Sequence, residues 1–402
     1  MEKVLSKKQK KTAMQPQAQL IKSLIENKNT YIGIPKGNLN EEKRIPLTPF
    51  AVSSLANEGY KIFIEAGAGE GANYSDEEYK NAGAIITKNK KDIFICSIII
   101  KISPFEEKEI DMLGGNQTII SALQLSSQTR NNIVKLISKK TNAIAFENIR
   151  DNQNFYPFVQ LMSEISGSTS IMIGSELLSN KNGGKGILLG GLAGISPAEI
   201  IIIGVDTAAI SAIKIANELG ATVKVFDNNI NKLMQIQNIF GKNTFTSTIN
   251  DKVLLKALES VDLIINTMHK DYNKDYVITN EMVEVMKEKS VIIDLMVESG
   301  SVIETSKLTT FQNPFYTEYG VIHYCVPNIA SRVARTSSIA ISNILTPILE
   351  KTMKCRGIMP VIKEDESVRN GTYLLRGILT NMELGNKFHL EAKDINLLMV
   401  AF

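Results

Sequence analysis

The stretch Ala198-Glu-Ile-Ile-Ile-Ile-Gly-Val-Asp-Thr-Ala-Ala209 does more than any other to limit what this chain can fold into. The run Ile200 to Ile203 has no polar side for water, so it reads as a strand buried on both faces. A turn at Gly204, a helix from about Thr207 to Leu219 and a second strand over Thr222 to Phe226 complete one βαβ unit. Asp227 ends that second strand, 23 positions after Gly204. That is close to the offset at which an acid accepts hydrogen bonds from the adenosine ribose of a dinucleotide.

A phosphate-binding turn of this kind uses glycine three times: for the tight turn, for close approach of backbone to pyrophosphate, and for helix against strand. Those positions hold Gly204, Asp206 and Ala209. Ala209 is an accepted variant of the third glycine. Asp206 places a carboxylate where the pyrophosphate approaches, and a unit charge roughly 4 Å from a phosphate charge costs around 4 kcal/mol at an effective dielectric of about 20. The cofactor expected is therefore NAD, with its affinity in question. Asp227 favours NAD over NADP because an acid there repels a 2′-phosphate. The competing reading is a unit of this type kept as scaffold.

The rest of the chain alternates in the same way. Strands are predicted at Tyr31 to Ile34, Lys61 to Glu65, Ile93 to Ile102, Thr118 to Ser121, Ala143 to Phe146, Asp262 to Asn266 and Ser290 to Asp294. Helices are predicted from a Thr48 cap to Glu58, from Ser75 onward, from near Pro157 to Leu178, and after Thr336 to about Lys351. The fold class is α/β, with two Rossmann-like domains, each a mostly parallel sheet with helices on both faces. The C-terminal section is expected to pack back on the first domain.

Net charge is only +3 over 45 basic and 42 acidic residues, which supplies no reason to expect nucleic acid or an anionic membrane as partner. No stretch approaches the roughly 18 uninterrupted apolar residues of a membrane span. Cys96, Cys325 and Cys355 fit neither a disulfide framework nor a zinc site and read as buried free thiols, so the cytoplasm is the expected compartment and no metal is expected. Residues 1 to 30, with Lys7, Lys8, Lys10 and Lys11, read as a solvated basic arm.

Several segments together resemble the alanine dehydrogenase and nicotinamide nucleotide transhydrogenase α-subunit family. They are Ile32-Gly-Ile-Pro-Lys36, Glu42-Lys-Arg-Ile-Pro-Leu-Thr-Pro49, Glu65-Ala-Gly-Ala-Gly-Glu-Gly-Ala72, Met162-Ser-Glu164, Gly204 to Ala209, Ser290-Val-Ile-Ile-Asp294 and Val326-Pro-Asn328. They occur in the family's order over roughly residues 31 to 340. The resemblance implies a substrate domain made of residues 31–157 plus 338–402, an NAD-binding domain over 158–337, and a catalytic cleft between them. It further implies a homo-oligomer, a hexamer, and reversible NAD-dependent oxidative deamination of L-alanine to pyruvate and ammonia.

That chemistry needs a guanidinium for the substrate carboxylate, a cation beside the reacting carbonyl, and a proton carrier. By resemblance, Arg44 is the carboxylate-binding arginine. Its presence in an arginine-poor chain fits a bidentate role that lysine cannot fill. Lys101 matches the first lysine of the family's Lys-Val-Lys stretch, while the substrate-binding second lysine is Ser103 and the acid/base histidine is Gln124. Glu298 stands where the family has its cleft aspartate and is the candidate proton-transfer group, with Lys101 as electrostatic partner at the substrate. Asn328 matches a cleft asparagine for substrate or nicotinamide. Ser163, Gly204, Val205 and Asp227 complete the expected cofactor contacts. Of the histidines His269, His323 and His389, His323 reads as structural.

The readings in play are an amino-acid dehydrogenase, with alanine as substrate; a transhydrogenase-like NAD(H)-binding protein; and a noncatalytic homologue that keeps the fold with a degenerate cofactor site.

Overall fold

A computed structural model describes residues 31–241, 244–271 and 275–401. The basic arm expected over residues 1 to 30 lies outside the described residues. The chain divides into two compact units, residues 31–158 with 334–401, and Val159–Val333.

In the first unit the strands β1 (Tyr31–Ile34), β2 (Lys61–Glu65), β3 (Ile85–Thr87), β4 (Ile98–Ile100), β5 (Thr118–Ser121) and β6 (Asn142–Ala145) pair in parallel. Their spatial order is β3-β2-β1-β4-β5-β6. The chain winds outward from β1 in one direction and then from β4 in the other, so β1 and β4 border a crevice at their C-terminal ends, where open α/β sheets hold ligands. The chain's C-terminal section extends this sheet, with β14 (Thr372–Leu375) pairing antiparallel to β6 and β15 (Ile378–Leu379) closing the edge.

Local chemistry explains most of these elements. Thr48 caps the helix Pro49–Asn57 by accepting the Ala51 N–H, and Pro49 opens it where no backbone donor is needed. Ser75 and Glu78 close a capping box on Asp76–Asn81. The apolar run Ile93 to Ile102 is not one strand. Asn89 caps a short helix, Lys90–Phe94, and only Ile98–Ile100 enters the sheet. A buried apolar run has the same appearance in either conformation, so the Asn cap upstream was the deciding signal. The strand β3 was also absent from the predicted set.

In the second unit β7 (Glu199–Ile203), β8 (Thr222–Phe226), β9 (Phe245–Ser247), β10 (Leu263–Asn266), β11 (Val291–Asp294) and β13 (Val321–Tyr324) form a parallel sheet. Its order, β9-β8-β7-β10-β11-β13, repeats the winding of the first, and β12 (Phe315–Glu318) adds an antiparallel edge. Alternate residues of the strands feed separate cores. Ile200, Ile202, Leu263, Ile265, Val291 and Ile293 pack with Ile213 and Leu177 on one face. Ile201, Ile203, Ile264 and Ile292 pack with Leu254 and Val283 on the other. Each such side chain contributes roughly 1.5–3 kcal/mol when fully buried, so a polar residue at any of these positions would lose helix packing on one face.

Cys96 and Cys325 are buried, whereas Cys355 is only half-buried; none is bridged. Among the described residues no helix is long and apolar enough to cross a membrane.

Candidate functional site

In the second unit the phosphate turn sits where β7 ends beside β10. Gly204 has φ +94, and a Cβ there would lie 2.9 Å from the Met268 backbone nitrogen, so only glycine suits the position. The Val205 N–H donates to Asp227 Oδ2 at 2.8 Å and the Asn229 N–H to Asp227 Oδ1 at 2.7 Å. Asp227 is buried and ties the end of β8 to the turn. Lys232 Nζ stands 4.0 Å from Asp227 Oδ2.

Asp206 is the N-cap of the helix Thr207–Glu218, and its Oδ1 accepts the Ala209 N–H at 2.8 Å. The carboxylate therefore occupies one of the donors that a helix N-terminus offers to a bound phosphate. Burial pushes the Asp206 carboxyl above its usual value, outweighing the Ala209 hydrogen bond, the nearby Thr267 hydroxyl and the influence of Lys232 and the His269 ring. Asp227 thus stands where the ribose of a dinucleotide is expected, and the turn expected to meet the pyrophosphate carries an acid whose carboxyl burial pushes up. The residues present fit NAD on these terms.

Ser163 lies on the long helix Pro157–Leu178. Gln160 of that helix accepts the Thr207 hydroxyl at 2.9 Å, and a Cβ on Gly167 would lie 2.0 Å from the Ala208 carbonyl oxygen. Residues 160, 163 and 167 share one helical face, so Ser163 sits on the face packed against the phosphate turn. Glu298, exposed, follows β11, and Asn328, at φ +60, follows β13. Both stand at the same C-terminal edge of the sheet as Gly204 and Asp227. His323 is fully buried, with Nδ1 3.0 Å from the Val321 carbonyl, Nε2 2.8 Å from the Thr305 hydroxyl and Tyr316 stacked on its ring. Burial pushes its pKa down, so it is a neutral structural residue.

In the first unit the corresponding edge carries the residues expected on the substrate side. Arg44 follows β1, and its Nε and Nη2 donate to Glu42 Oε1 at 2.8 Å and Oε2 at 2.6 Å. The loop that presents it is pinned by the C-terminal part of the chain: the Ile45 N–H donates to Ser338 Oγ at 2.9 Å and the Thr48 N–H to Ser342 Oγ at 3.2 Å. Lys101 follows β4 and is buried. Its ammonium donates to Glu109 Oε2 at 2.6 Å and to the Pro104 carbonyl at 3.2 Å. Burial pushes the Glu109 carboxyl up, but Lys101 and Lys90 outweigh it and hold the group below the usual carboxylate range. Lys101 is thereby tied to Glu109 and fixes the loop after β4.

Residues 33–166 match the family model described as the alanine dehydrogenase/PNT N-terminal domain, and residues 170–382 match that of its C-terminal domain. The chain belongs to the alanine dehydrogenase/PNT family. The alanine dehydrogenase of Methanococcus maripaludis is 35% identical over 353 residues, 87% of this chain and 94% of that protein. Alanine dehydrogenase 2 of Staphylococcus aureus is 32% identical over 366 residues, 90% of this chain and 98% of the relative. A solved L-alanine dehydrogenase superposes with a TM-score of 0.83 at 29% identity, covering 90% of this chain and 99% of that one. A solved transhydrogenase from Sinorhizobium meliloti shares the fold, with a TM-score of 0.75 at 21% identity, covering 88% and 100%.

Within this alanine dehydrogenase/PNT chain, the position expected to carry a histidine is exposed Gln124, held at φ +41. Directly behind it is a residue that the sequence reading did not single out. Glu147 Oε1 accepts the Leu123 N–H at 2.6 Å and the Gln124 N–H at 3.0 Å, while its buried Oε2 has no hydrogen-bond partner. Burial pushes its carboxyl up despite those amide donors. An acid just past the end of a parallel strand was the available signal, since strand C-termini face the ligand edge. Glu42 and His269 were likewise unassigned in sequence; the first orients Arg44 and the second stands beside Asp206.

Proposed function

We propose that this chain catalyses the reversible NAD-dependent oxidative deamination of L-alanine to pyruvate and ammonium. The reading rests chiefly on the Arg44 guanidinium, fixed as a two-pronged fork by Glu42 at the crevice between β1 and β4. A guanidinium whose plane is fixed in this way favours one orientation of a small carboxylate beside it, which is what presenting a 2-oxo or 2-amino acid demands. The homology to alanine dehydrogenases at 32–35% identity supports alanine as the substrate.

Gly204, Val205, Asp227, Ser163 and Asn328 hold the cofactor, with Asp227 on the adenosine ribose. A bound NAD would supply the hydride acceptor for the alanine Cα. Glu298 takes the proton released as the amine is converted and returns it in the reverse direction. Lys101, its charge paired with Glu109, positions the loop after β4 on the substrate side. We further place the reaction in the reducing cytoplasm, which suits three unbridged thiols, and expect the chain to assemble as a hexamer.

Two observations favour a noncatalytic alternative: the Asp206 carboxylate fills part of the phosphate turn, and Gln124 cannot exchange a proton at neutral pH. A single assay separates the two. Purified protein is given pyruvate, ammonium and NADH, and absorbance of the reduced nicotinamide is followed alongside the mass of the amino-acid product. Pyruvate-dependent NADH oxidation yielding L-alanine supports the enzyme, and NADH that remains unconsumed with no alanine formed removes it.

A further inference from the structure

Resting on the cofactor reading above, we propose that Asp206 meets the dinucleotide as a neutral carboxylic acid, donating its hydrogen to a phosphate oxygen, so that each cofactor bound takes up one proton from solution.

The geometry leaves Asp206 little alternative. Its Oδ1 sits 2.8 Å from the Ala209 nitrogen, inside the first turn of a helix whose N–H groups and dipole would otherwise face the phosphates. An ionised carboxylate there competes with the pyrophosphate for the same donor and repels both of its charges. A protonated one surrenders the cap to the phosphate and contributes a donor of its own. On binding, the carboxylate gains a hydrogen from solvent, the phosphates stay ionised, and the O–H of Asp206 points to one of their oxygens.

The surroundings supply too little positive charge to hold Asp206 as an anion beside two phosphates. The helix Ile230–Phe240 contributes Lys232, whose charge is shared with Asp227 at 4.0 Å and is half-exposed. The loop after β10 contributes the Thr267 hydroxyl and exposed His269, whose Nδ1 is 3.1 Å from Ser299 Oγ. The long helix presents the neutral amide of Gln160, itself donating to Glu164 at 3.1 Å, and the first turn of Asp206's own helix has no acidic residue. Burial already draws the carboxyl toward its neutral form before any phosphate arrives.

The test is calorimetric titration of the full chain with NADH at several pH values, each in two buffers of different ionisation enthalpy, which counts the protons exchanged. Proton uptake approaching one per NADH is expected, with affinity falling by up to about tenfold per pH unit over the window in which the proton is taken up. Asp206→Asn keeps an effective cap and cannot titrate, so its uptake disappears and its affinity becomes flat with pH. Because histidine can itself take up a proton near neutrality, His269→Gln is measured alongside, and its uptake should persist. NADH binding without uptake, or uptake that survives in Asp206→Asn, overturns the proposal while leaving the cofactor reading standing. Absence of NADH binding in the natural chain and in both Asp206→Asn and Asp206→Gly removes the cofactor reading, and this proposal with it.

Discussion

The guanidinium of Arg44 lies against the carboxylate of Glu42 through two parallel hydrogen bonds of 2.8 and 2.6 Å, with only two positions separating them in the chain. Both side chains are largely buried, so the pair fixes the plane of the fork before a substrate arrives. Replacing Arg44 by Lys retains the charge and loses the paired geometry. We expect the KM for pyruvate to rise by roughly 100-fold, corresponding to about 2.8 kcal/mol, with little change in NADH affinity. Steady-state kinetics on the variant would show otherwise if KM stayed within a few fold.

Asp227 carries two duties, gripping the Val205 and Asn229 amides and receiving a ribose. Asp227→Ser should weaken NADH binding by about 10- to 100-fold, since hydrogen bonds to a charged acceptor are worth roughly 1.5–3 kcal/mol each. The preference for NADH over NADPH should shrink with it, because the repulsion of a 2′-phosphate is lost. Titration with both nucleotides checks this. An unchanged ratio of dissociation constants would place the ribose elsewhere.

The buried Lys101–Glu109 pair makes a prediction about stability that differs from one about catalysis. Lys101→Met strands a buried carboxylate and should cost about 3–5 kcal/mol in urea unfolding. Adding Glu109→Leu should recover most of that loss. If Lys101 supports the substrate, the recovered double variant will fold well and still turn over alanine poorly; full activity would reduce Lys101 to a structural anchor.

Glu147 yields a pH dependence whose sign follows from burial. Its folded carboxyl titrates above the unfolded one, so the fold binds the proton more tightly. Its contribution to stability is present below the unfolded value and is lost as pH rises through the folded value. Glu147→Gln cannot ionise and should gain stability relative to the natural chain as pH increases from about 4 toward neutrality. Thermal melts of both proteins across that range test it, and parallel pH profiles would contradict it.

Much of the fold was legible in sequence because its signals are local. The isoleucine run at 200–203, the Thr48 and Ser75 caps and the Gly204 turn each state their conformation within a few residues. Ile93 to Ile102 misled because hydrophobicity marks burial and not the backbone state, and a short buried helix is as apolar as a strand. Phe315–Glu318 and Val321–Tyr324 form a hairpin that the reading did not anticipate, around Tyr319 and Gly320 at positive φ.

The site divides in the same way. Residue types and their order along the chain were enough to mark Arg44, Gly204, Asp227, and the changes at Ser103, Asp206 and Gln124. They also determined the family and both doubly wound sheets, since periodicity and glycine placement are properties of short windows. Tertiary structure alone decided that Lys101 is spent on Glu109, that Asp206 turns its carboxylate onto the Ala209 amide, and that Glu147 stands behind Gln124 with one oxygen unpartnered. Those outcomes depend on which groups meet across distant segments and on how much water reaches them. Burial and partner geometry, not residue identity, set the charge and the reach of an ionisable side chain.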